Sequence, residues 1–229
     1  MSIIRKGSKY LAICILIGGR STRFGSDKGL FQFLGRPLIS YELETLEQLN
    51  YDIFLVANSG AQVQKYLDQI DIKKIMAFIL DDNSILDKIE KRGPMIGFYS
   101  AFKELSKLNY EKTLIIPCDT PLIQKSVIEL LIRSSKGYDC SIPQWNNGLV
   151  EPLCTVYPVQ KAFNNAKKNL NNSYFKLSKL LNNDWNINYI SIEKSIQALD
   201  KNLLSFININ EKSDLKKIEK NWLKSFIER

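Results

Sequence analysis

The stretch LAICILIGGRSTRFGSDKG, residues 11–29, runs from an uninterrupted apolar segment into a loop with four glycines, two arginines and a lysine. A short apolar run without alternation is how a strand buried on both faces reads, and such strands belong to parallel sheets covered by helices. Glycine permits positive φ and close backbone approach, so successive N–H groups of the loop can surround an anion. In open α/β sheets ligands bind outside the carboxyl ends of the strands, where this loop begins. The spacing is not the dinucleotide fingerprint, because GGRSTRFG lacks GxGxxG. Nor is it the P-loop, which needs Gly-Lys-Ser/Thr after its second glycine.

Outward from this stretch, apolar runs alternate with longer amphipathic ones. Strands are expected at 10–17, 52–57, 75–80, 112–116, 138–142, 151–158, 187–192 and 206–209. Helices are expected at 37–49, 61–70, 94–105, 124–134, 159–170, 174–181 and from 211 onward, two of them opened by a proline in the first turn. This alternation predicts an α/β fold, a mostly parallel sheet with helices on both faces. The order of elements changes after 142, and no Pro-, Gly- or Ser-rich linker interrupts the chain. One domain over 1–229 is expected, with a C-terminal subregion.

Composition narrows the function. Of 229 residues, 45% are hydrophobic and 24% charged, enough for a real core. No apolar stretch approaches the roughly 20 residues that span a bilayer. The start, MSIIRKGSKY, lacks a signal-peptide pattern, so a cytoplasmic protein without membrane partners is expected. The four cysteines (Cys14, Cys118, Cys140, Cys154) are scattered and there is no histidine. Neither zinc ligation nor a disulfide framework is expected, and reduced thiols in or near strands are the default. Without histidine, catalysis rests on Asp, Glu, Lys, Arg or a metal. The net charge of +8 comes from lysines spread among Asn and Ile, so no nucleic-acid partner is expected. Arg20, Arg23 and Lys28 in the glycine loop suit a small polyanionic substrate instead.

The loop LIGGRSTRFGSDKG resembles the signature of the molybdenum cofactor guanylyltransferases, roughly LAGG-x-S-x-R-x-G-x-D-K, within the nucleotidyltransferase superfamily. Gly19 favours that branch over the cytidylyltransferase relatives, which usually carry Leu-Ala-Ala-Gly. Ile17 stands where alanine is usual. The resemblance continues through FLVANSG (54–60), LDD (80–82), RGPMIGFYSAF (92–102) and IIPCDTPLI (115–123), and more weakly through PLCTVY (152–157) and FININ (206–210). It is close over about 10–160 and loose over 160–229.

The resemblance implies a Rossmann-like nucleotidyltransferase fold that transfers GMP from GTP to the phosphate of molybdopterin and releases pyrophosphate. About 10–143 would bind the nucleotide and about 144–229 the acceptor. Leu16, Ile17, Gly18, Gly19, Gly25, Lys28, Asn58, Asp82, Gly93 and Asp119 would contact the nucleotide, with Mg²⁺ on Asp119. Lys28, Arg23 and Asp119 would be catalytic, and Asn208 and Asn210 would serve the acceptor. Transient contacts with proteins that deliver or receive the cofactor are also implied. Carbonyls near Leu16–Gly18 and the Asn58 amide would accept from guanine N1–H and its exocyclic amine.

Local readings stand beside these. Asp119 also suits a turn between two prolines, Asn58 a turn before Ser59-Gly60, Gly93-Pro94 a helix start, and Asn210 an N-cap. Gly97 inside a helix costs roughly 1 kcal/mol relative to alanine, which points to close approach of a ligand or backbone. The alternative functions are a nucleotidyltransferase using CTP or another acceptor, and a non-catalytic nucleotide-binding protein.

Overall fold

In the computed structural model, which describes residues 9–18, 27–82, 84, 93–209 and 214, the opening apolar run is strand β1 (Lys9–Leu16). Its side chains alternate between two cores. Leu11, Ile13, Ile15 and Ile17 pack into one, and Ala12, Cys14 and Leu16 into the other. Burial on both faces therefore explains the lack of polar alternation.

A short hairpin, β2 (Gln32–Phe33) and β3 (Arg36–Pro37), follows the glycine loop. Leu34 and Gly35, both at positive φ, form its turn. The hairpin leads into α1 (Leu38–Leu46). Pro37 offers no capping side chain, so the Leu38 and Ile39 amides donate to the carbonyls of Phe31 and Gly29. The rest of the chain runs β4 (Asp52–Ala57), α2 (Gly60–Leu67), β5 (Ile75–Leu80), α3 (Pro94–Lys107) and β6 (Tyr110–Pro117). It continues with α4 (Lys125–Ser134), β7 (Cys140–Gln144), β8 (Thr155–Pro158), α5 (Val159–Asn171) and β9 (Ile187–Ser191).

Seven strands form one sheet in the order β5-β4-β1-β6-β8-β7-β9. Four of its pairings are parallel, and β8 runs antiparallel to both neighbours. Residues of α1, α2 and α4 fill the core on one face and those of α3 and α5 the core on the other. From β1 the chain steps outward to β4 and β5, then returns through α3 to β6 on the opposite flank of β1. The strand order thus reverses between β1 and β6, which is where open α/β sheets form their ligand crevice, at the carboxyl ends of the strands. The double reversal through β8 makes β7 and β9 end on that same edge.

Four expectations need correction. Of the expected strand 151–158 only Thr155–Pro158 joins the sheet, because the Glu151 carbonyl accepts from Cys154 N–H and the Thr155 hydroxyl in a turn. The segment 206–209 is no strand: Leu204–Phe206 is a 3₁₀ turn held by the Asp200 carboxylate on the amides of Leu204 and Ser205. The helix expected at 174–181 shrinks to a 3₁₀ turn, Leu177–Leu180. The helix at 37–49 ends as an α-helix at Leu46, with a 3₁₀ turn over Glu47–Leu49. The helix expected from 211 onward lies outside the described residues, apart from Asp214.

All four cysteines are free and buried, and burial pushes the thiols of Cys14, Cys140 and Cys154 up to about 12. Among the described residues no helix is long and apolar enough to cross a membrane.

Candidate active site

Lys28 closes the glycine loop and Asp119 follows β6 by two residues, so each stands beside the β1–β6 crevice. Their side chains meet there as an ion pair of 2.7 Å, both 17% exposed. The Cys118 amide donates to the Leu16 carbonyl, which draws the ends of β1 and β6 together. On the outer side, the Ile209 amide donates to the Asp119 carbonyl at 3.0 Å. That bond brings the C-terminal segment to the crevice and leaves Asn208 exposed one residue from the contact.

The β1–β4 side is built just as closely. The amides of Ile17 and Gly18 both donate to the Val56 carbonyl. A Cβ on Gly18 would lie 3.3 Å from the Asn58 nitrogen, so the two strand ends approach as glycine allows. Gln62 on α2 braces this corner. Its Nε2 donates to the Ile17 carbonyl (2.8 Å) and to Asp27 (2.5 Å), while its Oε1 accepts the Asn58 amide (2.9 Å). The carbonyls of Leu16 and Ile17 are therefore already engaged by protein donors, which leaves only their second lone pairs for a base. The Asn58 side-chain oxygen accepts from the Ser59 hydroxyl at 2.8 Å.

Asp27 anchors the exit of the loop. Its carboxylate receives the Tyr66 hydroxyl at 2.7 Å as well as Gln62 and the Gly29 amide. Gln62 and Tyr66 are four residues apart and so share one face of α2. Gly29 sits against this cluster: a Cβ there would come within 2.3 Å of the Tyr66 hydroxyl. Gly29→Ala is therefore expected to cost about 1–3 kcal/mol through overpacking. A thermal melt should show a drop of about 2–4 °C per kcal/mol, and an unchanged melting temperature would contradict the packing.

Asp82 is placed differently. It follows β5, two strands away from β1, and its carboxylate binds Lys103 on α3 at 2.5 Å and the Ser84 hydroxyl. The Lys103 hydrogen bond, helped by Ser84, holds that carboxyl below its ordinary range. It is not brought together with Lys28 and Asp119. Gly93 is the N-cap of α3, and a Cβ there would meet nothing within 4 Å. A Cβ on Gly97 would make ordinary contacts of 3.6–3.7 Å with Leu16, Asp81 and Val56, so no protein group requires glycine there. Gly19, Arg20, Arg23, Gly25 and Asn210 lie outside the described residues.

Sequence reasoning missed Asp27, Gln62, Tyr66 and Glu42. Asp27 stood in the quoted loop, and the spacing of Gln62 and Tyr66 on one helix face was the available signal. Glu42, on α1, is fully buried, with Oε1 accepting the Thr120 amide at 2.7 Å. Burial pushes its carboxyl well above the ordinary range, the Thr120 amide works against this, and nearby Asp119 adds to it.

A covered, mostly parallel sheet with a cation–carboxylate pair at its switch point, next to a glycine loop, is the arrangement in which open α/β proteins bind nucleotides. The description "MobA-like NTP transferase domain" matches residues 13–182 of the 229. The chain belongs to this family of nucleotidyltransferases. It is 30% identical to a protein of Desulfosudis oleivorans named "Molybdenum cofactor guanylyltransferase", over 90% of this chain and 92% of that one. It is also 30% identical to a Pyrococcus horikoshii protein named "Probable molybdenum cofactor guanylyltransferase", over 90% of this chain and 97% of that one. The crystal structure of molybdopterin-guanine dinucleotide biosynthesis protein A from Archaeoglobus fulgidus superposes with a TM-score of 0.74 at 25% identity. That match covers 93% of this chain and 99% of the other.

Proposed function

We propose that the protein transfers GMP from GTP to the terminal phosphate of molybdopterin, forming the guanine dinucleotide form of the cofactor. The observation that carries this is the Lys28–Asp119 pair at the β1–β6 crevice, directly after the glycine loop, in a chain of this family. An oxygen of the acceptor phosphate attacks the α-phosphorus of GTP, the bond from that phosphorus to the bridging oxygen breaks, and pyrophosphate leaves. The nucleophile is already an anion, so the reaction needs no strong general base. That suits a chain without histidine.

The barrier is the approach of two polyanions, and positioning with charge neutralisation lowers it. Lys28, with Arg23, offsets charge on the α-phosphate and on the departing pyrophosphate. Gly18, Gly19 and Gly25 let the loop backbone approach the phosphates, and Asn58 faces the base. Asp119 is the residue that would hold Mg²⁺. Among the described residues no group of three or more His, Cys, Asp and Glu is arranged to hold a metal ion by itself, and one carboxylate beside bound phosphates suits magnesium, which keeps several waters. When bound, the ion neutralises phosphate charge and orients phosphate oxygens. Residues 10–143 take the nucleotide and 144–229 the acceptor, to whose binding Asn208 and Asn210 contribute. Four reduced, buried thiols suit a cytoplasmic setting. Handover of the cofactor implies transient contact with the proteins that supply and receive it.

The test is pyrophosphate release with Mg²⁺ and molybdopterin, compared across GTP, CTP, ATP and UTP. Release with GTP alone is expected. Release with CTP instead would overturn the base assignment, and release with none of the four would overturn the reaction.

A further inference from the structure

We propose that Glu42 is a positioning residue for Asp119, accepting the Thr120 amide and so fixing the direction in which the neighbouring carboxylate faces Lys28. This rests on the reading of Asp119 as the metal-holding carboxylate.

Glu42 occupies a core position. On α1 the neighbouring Leu38, Ile39, Leu43 and Leu46 are buried, and the helical period places Glu42 on the face with Ile39, Leu43 and Leu46. An apolar residue is the default there, because a buried carboxyl without partners is strongly unfavourable. Glu42 reaches instead to the turn after β6, where Oε1 lies 2.7 Å from the Thr120 nitrogen and 3.1 Å from its hydroxyl. Its other oxygen, Oε2, is buried and has no partner among the described residues. The hydrogen bonds of the Glu42 side chain are thus made by Oε1 alone, and both go to Thr120 in this one turn.

That turn has few backbone donors, although the Thr120 hydroxyl also reaches the Pro117 carbonyl and the Ile123 amide donates to the Thr120 carbonyl. Pro117 and Pro121 bound it and carry no N–H, so only Cys118, Asp119 and Thr120 can donate from the backbone. The Cys118 amide goes to the Leu16 carbonyl and the Thr120 amide to Glu42. Asp119 is thus pinned on one side to β1 and on the other to α1, while its own carbonyl receives Ile209. Without Glu42 the Thr120 amide loses its acceptor. The bonds of Cys118 to Leu16, Ile209 to Asp119, Ile123 to Thr120 and the Thr120 hydroxyl to the Pro117 carbonyl remain, so the turn stays in place but loosens on its α1 side, where the direction of the Asp119 side chain is set.

The test compares Glu42→Met, which keeps the volume and removes the acceptor, with Glu42→Gln, which keeps a carbonyl acceptor. Hydrogen exchange of the amides at 118–120 reads the turn directly. It is expected to quicken about tenfold in Glu42→Met and to stay near wild type in Glu42→Gln. Mn²⁺ added with GTP, followed by water-proton relaxation, reads the site. Glu42→Met is expected to weaken protein-bound Mn²⁺ about tenfold, the loss of roughly one hydrogen bond, with Glu42→Gln again near wild type. Unchanged exchange in Glu42→Met, or a Gln variant as impaired as the Met variant, would overturn the proposal. If Glu42→Met does not fold, Glu42→Asp, which withdraws the carboxyl by one methylene, carries the same comparison. Asp119→Asn separates the two readings: if it holds Mn²⁺ as wild type does, the metal assignment falls, and the exchange measurement alone decides for Glu42.

Discussion

Lys28→Ala is expected to slow pyrophosphate release at saturating GTP by about a hundredfold or more, the usual consequence of removing one donor aimed at developing charge. The reason is positional. Lys28 ends the glycine loop, its side chain is 17% exposed, and it already holds an anion there, the Asp119 carboxylate at 2.7 Å. A group that holds a carboxylate in this place can hold a phosphate oxygen in the same place. The loss should fall on turnover more than on folding, because the backbone bonds that seat this turn remain. The Phe31 amide to the Lys28 carbonyl and the Ile39 amide to the Gly29 carbonyl do not involve the lysine side chain. A thermal melt alongside the assay separates the two effects. Lys28→Arg would restore the charge but not the compact ammonium, so only partial recovery is expected. Near-normal turnover in the alanine variant would remove Lys28 from the chemistry.

Asp119→Ala is expected to reduce turnover at least as much, about a hundredfold to a thousandfold, with the activity no longer responding to Mg²⁺ in the millimolar range. Two effects combine here. The carboxylate that would hold the cation is gone, and Lys28 loses the 2.7 Å ion pair that directs its ammonium toward residue 119. The fold should persist, since the contacts of residue 119 with the C-terminal segment are made by its carbonyl, which alanine retains. The check is the rate as a function of Mg²⁺ concentration. An alanine variant with a wild-type Mg²⁺ profile would show that another group holds the ion.

The site was partly legible because two of its members stand in short local motifs. Lys28 stands in SDKG, at the end of the glycine loop that follows one apolar run, and Asp119 centres PCDTP, which follows another; the burial of both runs could be inferred from their lack of alternation. Their supports were illegible for the opposite reason. Glu42 reads as one acidic residue in LISYELETL, an ordinary amphipathic helix, and nothing near it announces a partner 78 positions away. Gln62 reads as a solvent-facing amide until β1 and β4 end side by side above it. Asp82 was legible only as a local motif: its ion pair with Lys103, 21 positions on, shows in the tertiary structure alone. The residues 206–209, FINI, are mostly apolar as a short strand would be, yet they pair with no strand among the described residues, and Ile209 instead bonds the Asp119 carbonyl.

By itself the sequence determined the α/β class, the two-faced burial of the first strand, the glycine loop at its carboxyl end and the family. All of these depend on periodicity and short motifs, which act between residues close in the chain. Only the tertiary structure decided that Lys28 meets Asp119 across 91 positions, that Gln62 joins the ends of β1 and β4, and that Glu42 carries the turn behind Asp119. Those contacts depend on the strand order, which sets which chain ends share a crevice. Strand order follows from how whole helices and strands bury their apolar faces together, and no local pattern encodes it.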